Sequence, residues 1–125
     1  MSTRKELINE YKQMKFRMGV FQIRNTVNGK VFIESTPNLD AVWNRHHFEL
    51  NFGSHRNKAL QAEWKEFGAE NFVYEILSEL KQEDDNTANH QKELKLLEAM
   101  FIEELQPFEE KGYHKRVQQT LTQRV

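Results

Sequence analysis

The chain reads as a single α+β domain whose elements run helix, strand, tight turn, strand, two helices, strand and a long closing helix. Three observations set that order. Phe21 and Ile23 alternate with Gln22 and Arg24, and Val31 and Ile33 alternate with Phe32 and Glu34 beyond an Asn28-Gly29 pair, which predicts two antiparallel strands joined by a hairpin. Phe72, Tyr74 and Ile76 alternate with Val73, Glu75 and Leu77 as a third strand. Elsewhere the apolar spacing lengthens to three and four residues, the period of helices.

Thr3 followed by Glu6 is a capping-box start, and Leu7, Tyr11, Met14 and Met18 continue it as an amphipathic helix from about Thr3 to Phe16. Lys5, Lys12 and Lys15 lie on its other side, as a solvated face or as contacts to a phosphate backbone. After the hairpin, Pro37 ends the extended run and Asn38 caps a helix reaching about Leu50. Gly53-Ser54 breaks that helix, a second follows from about Arg56 to Phe67, and Gly68 stops it. A polar connector from Lys81 leads into a helix from Thr87 to Leu105, closed by Pro107. The chain thus divides into an N-terminal helix packed on the domain (1–18), the domain (19–113) and a polar tail (114–125).

A chain of 125 residues holds one core. With no cysteine, any metal must be held by oxygen or imidazole ligands, and a reducing compartment is expected. The charged start and the lack of an apolar run of roughly 18 residues predict a soluble, cytoplasmic protein without membrane attachment. The net charge of −1 conceals polarity: Met1 to Lys65 carries 11 Lys/Arg against 6 Asp/Glu, and Glu66 to Val125 carries 7 against 13. A basic half can follow phosphates while an acidic half collects cations, although ordinary enzymes are often polarised as well. There is no Gly-rich phosphate loop, since Gly29-Lys30 sits in the hairpin.

Two polar residues fall where apolar ones belong. Winding the long helix at roughly 100° per residue places Glu98 within the stripe of Leu94, Phe101, Ile102 and Leu105. A carboxylate there is paired, protonated or bound to a cation, or the helix rolls so that it reaches solvent or Lys95. Likewise His46 lies among Leu39, Val42, Trp43 and Leu50, as a proton acceptor, a phosphate donor or a satisfied core residue. His55 follows the Gly53-Ser54 break and is free to face a cleft or water, whereas His90 and His114 show no spacing that marks a site.

The triplets Gly19-Val20-Phe21 and Phe32-Ile33-Glu34, with Asn25, the Asn28-Gly29-Lys30 turn, Asn38-Leu39, Trp43, His46, His55, Leu60-Gln61, Gly68 and Phe72, resemble the GIY-YIG nuclease family over about Gly19 to Tyr113. That resemblance implies a small three-stranded antiparallel sheet flanked by helices, here with an extra N-terminal helix, and an endonuclease-like protein acting on DNA. It implies that Glu98 is the metal-binding glutamate; if the chemistry survives, Glu98 would hold Mg²⁺ or Mn²⁺ and His46 or His55 would accept the proton of the attacking water in place of a tyrosine hydroxyl. Active members place tyrosines at the positions of Phe21 and Phe32, a glycine at Glu34, an arginine at Val42 and an asparagine at His114. Phenylalanine cannot relay a proton, and valine cannot stabilise a phosphate, so phosphodiester hydrolysis is expected to be impaired or altered. Arg45 or Arg24 would have to reach the phosphate from another angle, and Lys30, Arg45, Arg56 and Lys58 would bind the nucleic acid. Two alternatives stand beside the enzyme: a nucleic-acid-binding module without turnover, and a protein-interaction domain built on Phe21, Phe32, Trp43 and Trp64.

Overall fold

β1 (Met18–Asn25) is the middle strand of a three-stranded antiparallel sheet ordered β2-β1-β3, with β2 spanning Val31–Thr36 and β3 Phe72–Leu80. The structure is a computed structural model that describes residues 16–80 and 87–115, apart from the side chains of 87–89. The expected N-terminal helix, the connector 81–86 and the tail from Arg116 lie outside the described residues. Met18, which spacing grouped with that helix, is instead the first residue of β1, paired with Leu80.

Both faces of the sheet are covered. On one, Phe21, Ile23, Phe32 and Phe72 pack with Leu39, Val42 and Leu50 of α1 (Leu39–Phe52) and with Leu60 and Trp64 of α2 (Lys58–Phe67). On the other, Val20, Val31 and Ile33 meet Leu97, Phe101 and Ile102 of α3 (Thr87–Leu105). Alternation along β2 and the start of β1 therefore sorts side chains between two apolar layers, whereas Arg24 and Glu75 leave the far end of the second face polar and part-exposed. Burying these residues is what holds the layers together, at roughly 1.5–3 kcal/mol for each large apolar side chain.

Caps fix the helix ends. Asn38 accepts from the Ala41 amide at 3.2 Å and Asn57 from the Leu60 amide at 3.0 Å, while Gly53 ends α1 at φ +86. The hairpin is wider than the two-residue turn expected from Asn28-Gly29. Gly29 alone is left-handed, at φ +79, and its amide reaches the Asn25 carbonyl at 2.8 Å. The first-triplet glycine is explained by packing: a Cβ on Gly19 would lie 2.0 Å from the Ser78 carbonyl oxygen of β3.

β2 is an edge strand, and its outward amides are nevertheless engaged. Ile33 donates to His114 Nε2 at 2.8 Å, Ser35 donates to Glu98 Oε1 at 2.8 Å, and the Val31 carbonyl accepts from Tyr113 at 3.0 Å. Among the described residues no helix is long and apolar enough to cross a membrane.

Candidate active site at the edge of the second strand

Glu98 comes to this edge because α3 presents its inner stripe to β2, with Leu94 buried one turn before it. Its Oε1 accepts from both the amide and the hydroxyl of Ser35, the latter at 2.7 Å, and its side chain is 20% exposed. Lys95 stands 3.8 Å from the same oxygen, so the carboxylate is pinned by Ser35 and only grazed by the lysine. Oε2 makes no hydrogen bond among the described residues. A carboxylate with one oxygen fixed and 20% of its side chain open to solvent is of the type that holds a hard divalent cation.

On the opposite side of β2, α1 and the loop after it bring the histidines together. His46 and His55 are both buried, with His46 Nδ1 2.7 Å from His55 Nε2. Backbone donors settle the tautomers. The Asn57 amide donates to His55 Nδ1 at 3.0 Å, which leaves the proton on His55 Nε2 and directs it to His46 Nδ1. The proton of His46 is then on Nε2, donated to Glu34 Oε1 at 2.8 Å. Gln61 locks the loop: its Oε1 accepts from the His55 amide at 3.0 Å, and its Nε2 donates to the Leu50 carbonyl at 2.8 Å.

Glu34 is the hub of this half. Besides His46 it pairs with Arg56 through Oε2, and Arg45 stands 3.8 Å from Oε1. The carboxylate is 12% exposed, whereas Arg45 and Arg56 are 60% and 67% exposed. Phe32 forms the floor, with His55 edge-on at 5.7 Å and His114 stacked on it at 5.3 Å. His46 packs against both Phe21 and Phe32.

All three imidazoles are held toward their neutral forms. Burial first, then the Arg45 cation, pushes His46 down to about 4, while Glu49 works the other way. His55 is lowered by burial and by His46, and His114 by burial, opposed by the nearby Glu98 carboxylate. That Glu98 and Arg56 both act on His114 ties the two halves of the site through this ring.

Several expectations change. Arg24 is held by Glu75 of β3 through two hydrogen bonds, of 2.9 and 3.0 Å, and Lys30 by Glu63 at 3.1 Å, so neither is brought to the cluster. Glu63 also takes the Tyr113 hydroxyl at 2.6 Å and both Asn25 and Asn28, which binds the hairpin to α2. Lys58 is exposed at the first turn of α2. Phe21, Phe32, Val42 and Trp64 are core residues, each at most 5% exposed, and Trp43 stacks on Tyr74, so the aromatic cluster is no docking surface. Where His46 or His55 was expected to take a proton from water, every ring nitrogen of both already has a partner. His114 is the residue that spacing missed. Its signal is non-local, since only the register that returns the chain beside β2 puts its ring at the Ile33 amide.

His46, Glu49 and His55 also carry ligand atoms within 4.8 Å of one another. The 2.7 Å nitrogen separation is a hydrogen bond, shorter than the roughly 3.4 Å that two nitrogens at ~2.1 Å from one tetrahedral ion would keep. This trio would bind a cation only after that bond opened.

The fold and this cluster define an endonuclease-like α+β domain. No protein-family model matches the chain. The structure superposes on the catalytic domain of the homing endonuclease I-TevI with a TM-score of 0.65 and 30% identity, covering 77% of this chain and 95% of that domain. A mutant of the catalytic domain of intron endonuclease I-TevI gives a TM-score of 0.66 and 28% identity, over 79% and 93% of the two chains. In sequence, the intron-associated endonuclease 1 of Enterobacteria phage T4 is 35% identical over 69 residues, which are 55% of this chain and 28% of that protein. The chain belongs to the GIY-YIG nuclease family. It spans little more than a quarter of the length of that curated relative.

Proposed function

We propose that this domain binds DNA along the outer edge of β2 and that its hydrolysis of phosphodiesters is impaired. The observation that carries this reading is the placement of Glu34, whose carboxylate fills the cradle formed by Arg45, His46 and Arg56. A glycine there would leave those donors to a phosphate. The Glu34 anion instead satisfies them and repels what they would otherwise hold.

Glu98 is the residue that would hold Mg²⁺ or Mn²⁺, and the ion when bound would supply charge stabilisation at the leaving oxygen. Ser35 orients that carboxylate through two hydrogen bonds. Arg45 and Arg56, once released by Glu34, would grip the phosphate from the α1 and α2 side. Among the described residues, what is missing is a base. Phe21 and Phe32 have no hydroxyl, His46 and His55 spend their lone pairs on each other and on backbone, and His114 Nε2 accepts from Ile33. Val42, buried at 4% exposure, offers no charge to the transition state.

Cleavage of branched, nicked and single-stranded DNA under Mg²⁺ and Mn²⁺ titration tests this, with Glu98→Ala as control and the I-TevI catalytic domain assayed alongside. The expected result is DNA binding that weakens steeply with salt, together with metal-dependent cleavage far below that of the comparator. Cleavage at a comparable rate, abolished by Glu98→Ala, would refute impairment. Salt-independent or absent binding would refute the DNA reading.

A further inference from the structure

Two large apolar side chains lie in water on the outer face of α1. Phe48 is 66% and Phe52 74% exposed, and their rings stack on each other with centroids 5.8 Å apart and planes 8° from parallel. The face that α1 buries carries Leu39, Val42, His46 and Leu50, so these rings take no part in either core cluster. One helical turn before Phe48 stands Arg45, the guanidinium that reaches Glu34 at the candidate site. Beyond Phe52, Lys65 of α2 places its ammonium 4.0 Å from where a Cβ on Gly53 would sit. The rings are therefore bracketed by one cation at the site and another at the far end of the helix.

We propose that the Phe48–Phe52 pair is a stacking platform for an unpaired nucleobase of the strand whose phosphate lies at Arg45. It follows that the domain selects DNA with unpaired bases over continuous duplex. The proposal rests on the DNA-binding reading above and names its substrate class.

Size, charge and spacing each favour this occupant. Two phenylalanines offer a few hundred Å² of apolar surface, well short of the ~800 Å² per partner that a stable protein interface buries. Cations at both ends suit the phosphates on either side of a base, and bases stack on aromatic rings with little regard to sequence. Along the helix, Arg45 to Phe52 is about 10 Å at ~1.5 Å per residue, a span of one to two nucleotides. A base paired inside a duplex cannot present its face to the rings.

The full chain is titrated by fluorescence anisotropy with a labelled oligothymidylate strand of about 20 nucleotides, with its duplex, and with a branched DNA of the same length. Wild type is expected to prefer the single strand and the branch. Phe48→Ala/Phe52→Ala is expected to lose on the order of tenfold in affinity for those two and nothing for the duplex. Lys65→Ala should weaken all three alike and flatten the salt dependence. Both phenylalanines are exposed and alanine favours helix, so the double variant keeps its circular dichroism.

If wild type binds none of these DNAs, the DNA-binding reading falls and takes this proposal with it. If wild type binds but the double variant binds the single strand equally well, or loses equally on duplex, only the platform is refuted. Loss of a concentration-dependent dimer in the double variant, with DNA affinity unchanged, would mark the rings as a contact between copies and refute it too.

Discussion

Replacing Glu34 by glutamine removes the anion from the cradle while keeping an acceptor for His46. The Glu34 oxygens touch His46 at 2.8 Å and pair with Arg56, so a phosphate entering beside Arg45 and Arg56 would come within roughly 6 Å of them. Two unit charges at ~6 Å repel by about 3 kcal/mol at an effective dielectric near 20. Rearrangement of the exposed arginines and salt reduce that to about 1–2 kcal/mol, equivalent to a gain of roughly 5- to 30-fold in affinity. Glu34→Gln is therefore expected to bind an oligonucleotide about tenfold more tightly at low salt, with a steeper salt dependence because Arg45 and Arg56 now release counterions. Anisotropy titrations of wild type and variant at two salt concentrations measure both quantities. Glutamine can still accept from His46 Nε2, so the buried histidine pair stays satisfied and the variant folds. Unchanged or weaker binding by a folded variant would show that Glu34 does not compete with phosphate.

Three further outcomes test the scaffold. Lowering the pH should destabilise the domain: His46 titrates near 4 when folded and near 6.5 when unfolded, so its contribution is fully present above 6.5 and is lost as pH falls from 6.5 to about 4. Urea melts at pH 7.5 and pH 4.5 should differ by up to about 3 kcal/mol from this group, and equal midpoints would contradict its neutral burial. Gly19→Ala is expected to prevent folding or lower stability by more than ~3 kcal/mol, because the new methyl meets the backbone of β3; a cooperative melt close to wild type would refute that packing. Tyr113→Phe removes a hydroxyl that bonds Glu63 at 2.6 Å and Asn25 at 3.1 Å, and should cost about 1–3 kcal/mol in the same melts while leaving DNA affinity unaltered.

Among the described residues, local patterns carried the order of strands and helices and the position of Glu98 on its stripe. Its stripe on the long helix is set by the helical period alone, and α3 begins and ends at Thr87 and Leu105 as spacing indicates. His46 was legible as a polar residue on an apolar face, yet not its partners, because His55 and Glu34 meet it only through folding. Arg24 and Lys30 looked available for DNA because their counterions are remote in sequence: Glu75 arrives with β3 and Glu63 with α2. Phe48 and Phe52 were legible as apolar residues opposite the stripe of Leu39, Val42, His46 and Leu50, but their exposure and the stacking of their rings appear only in the structure.

Glu98 and His114 have a second duty at the rim of β2. By taking the outward amides of Ser35 and Ile33 they keep an otherwise open ladder from recruiting another chain. Truncating either residue to alanine would uncover a hydrogen-bonding template along with removing a carboxylate or a ring. Alanine variants of that kind are expected to self-associate, so the Glu98→Ala control is read beside Glu98→Gln, which keeps an acceptor for Ser35.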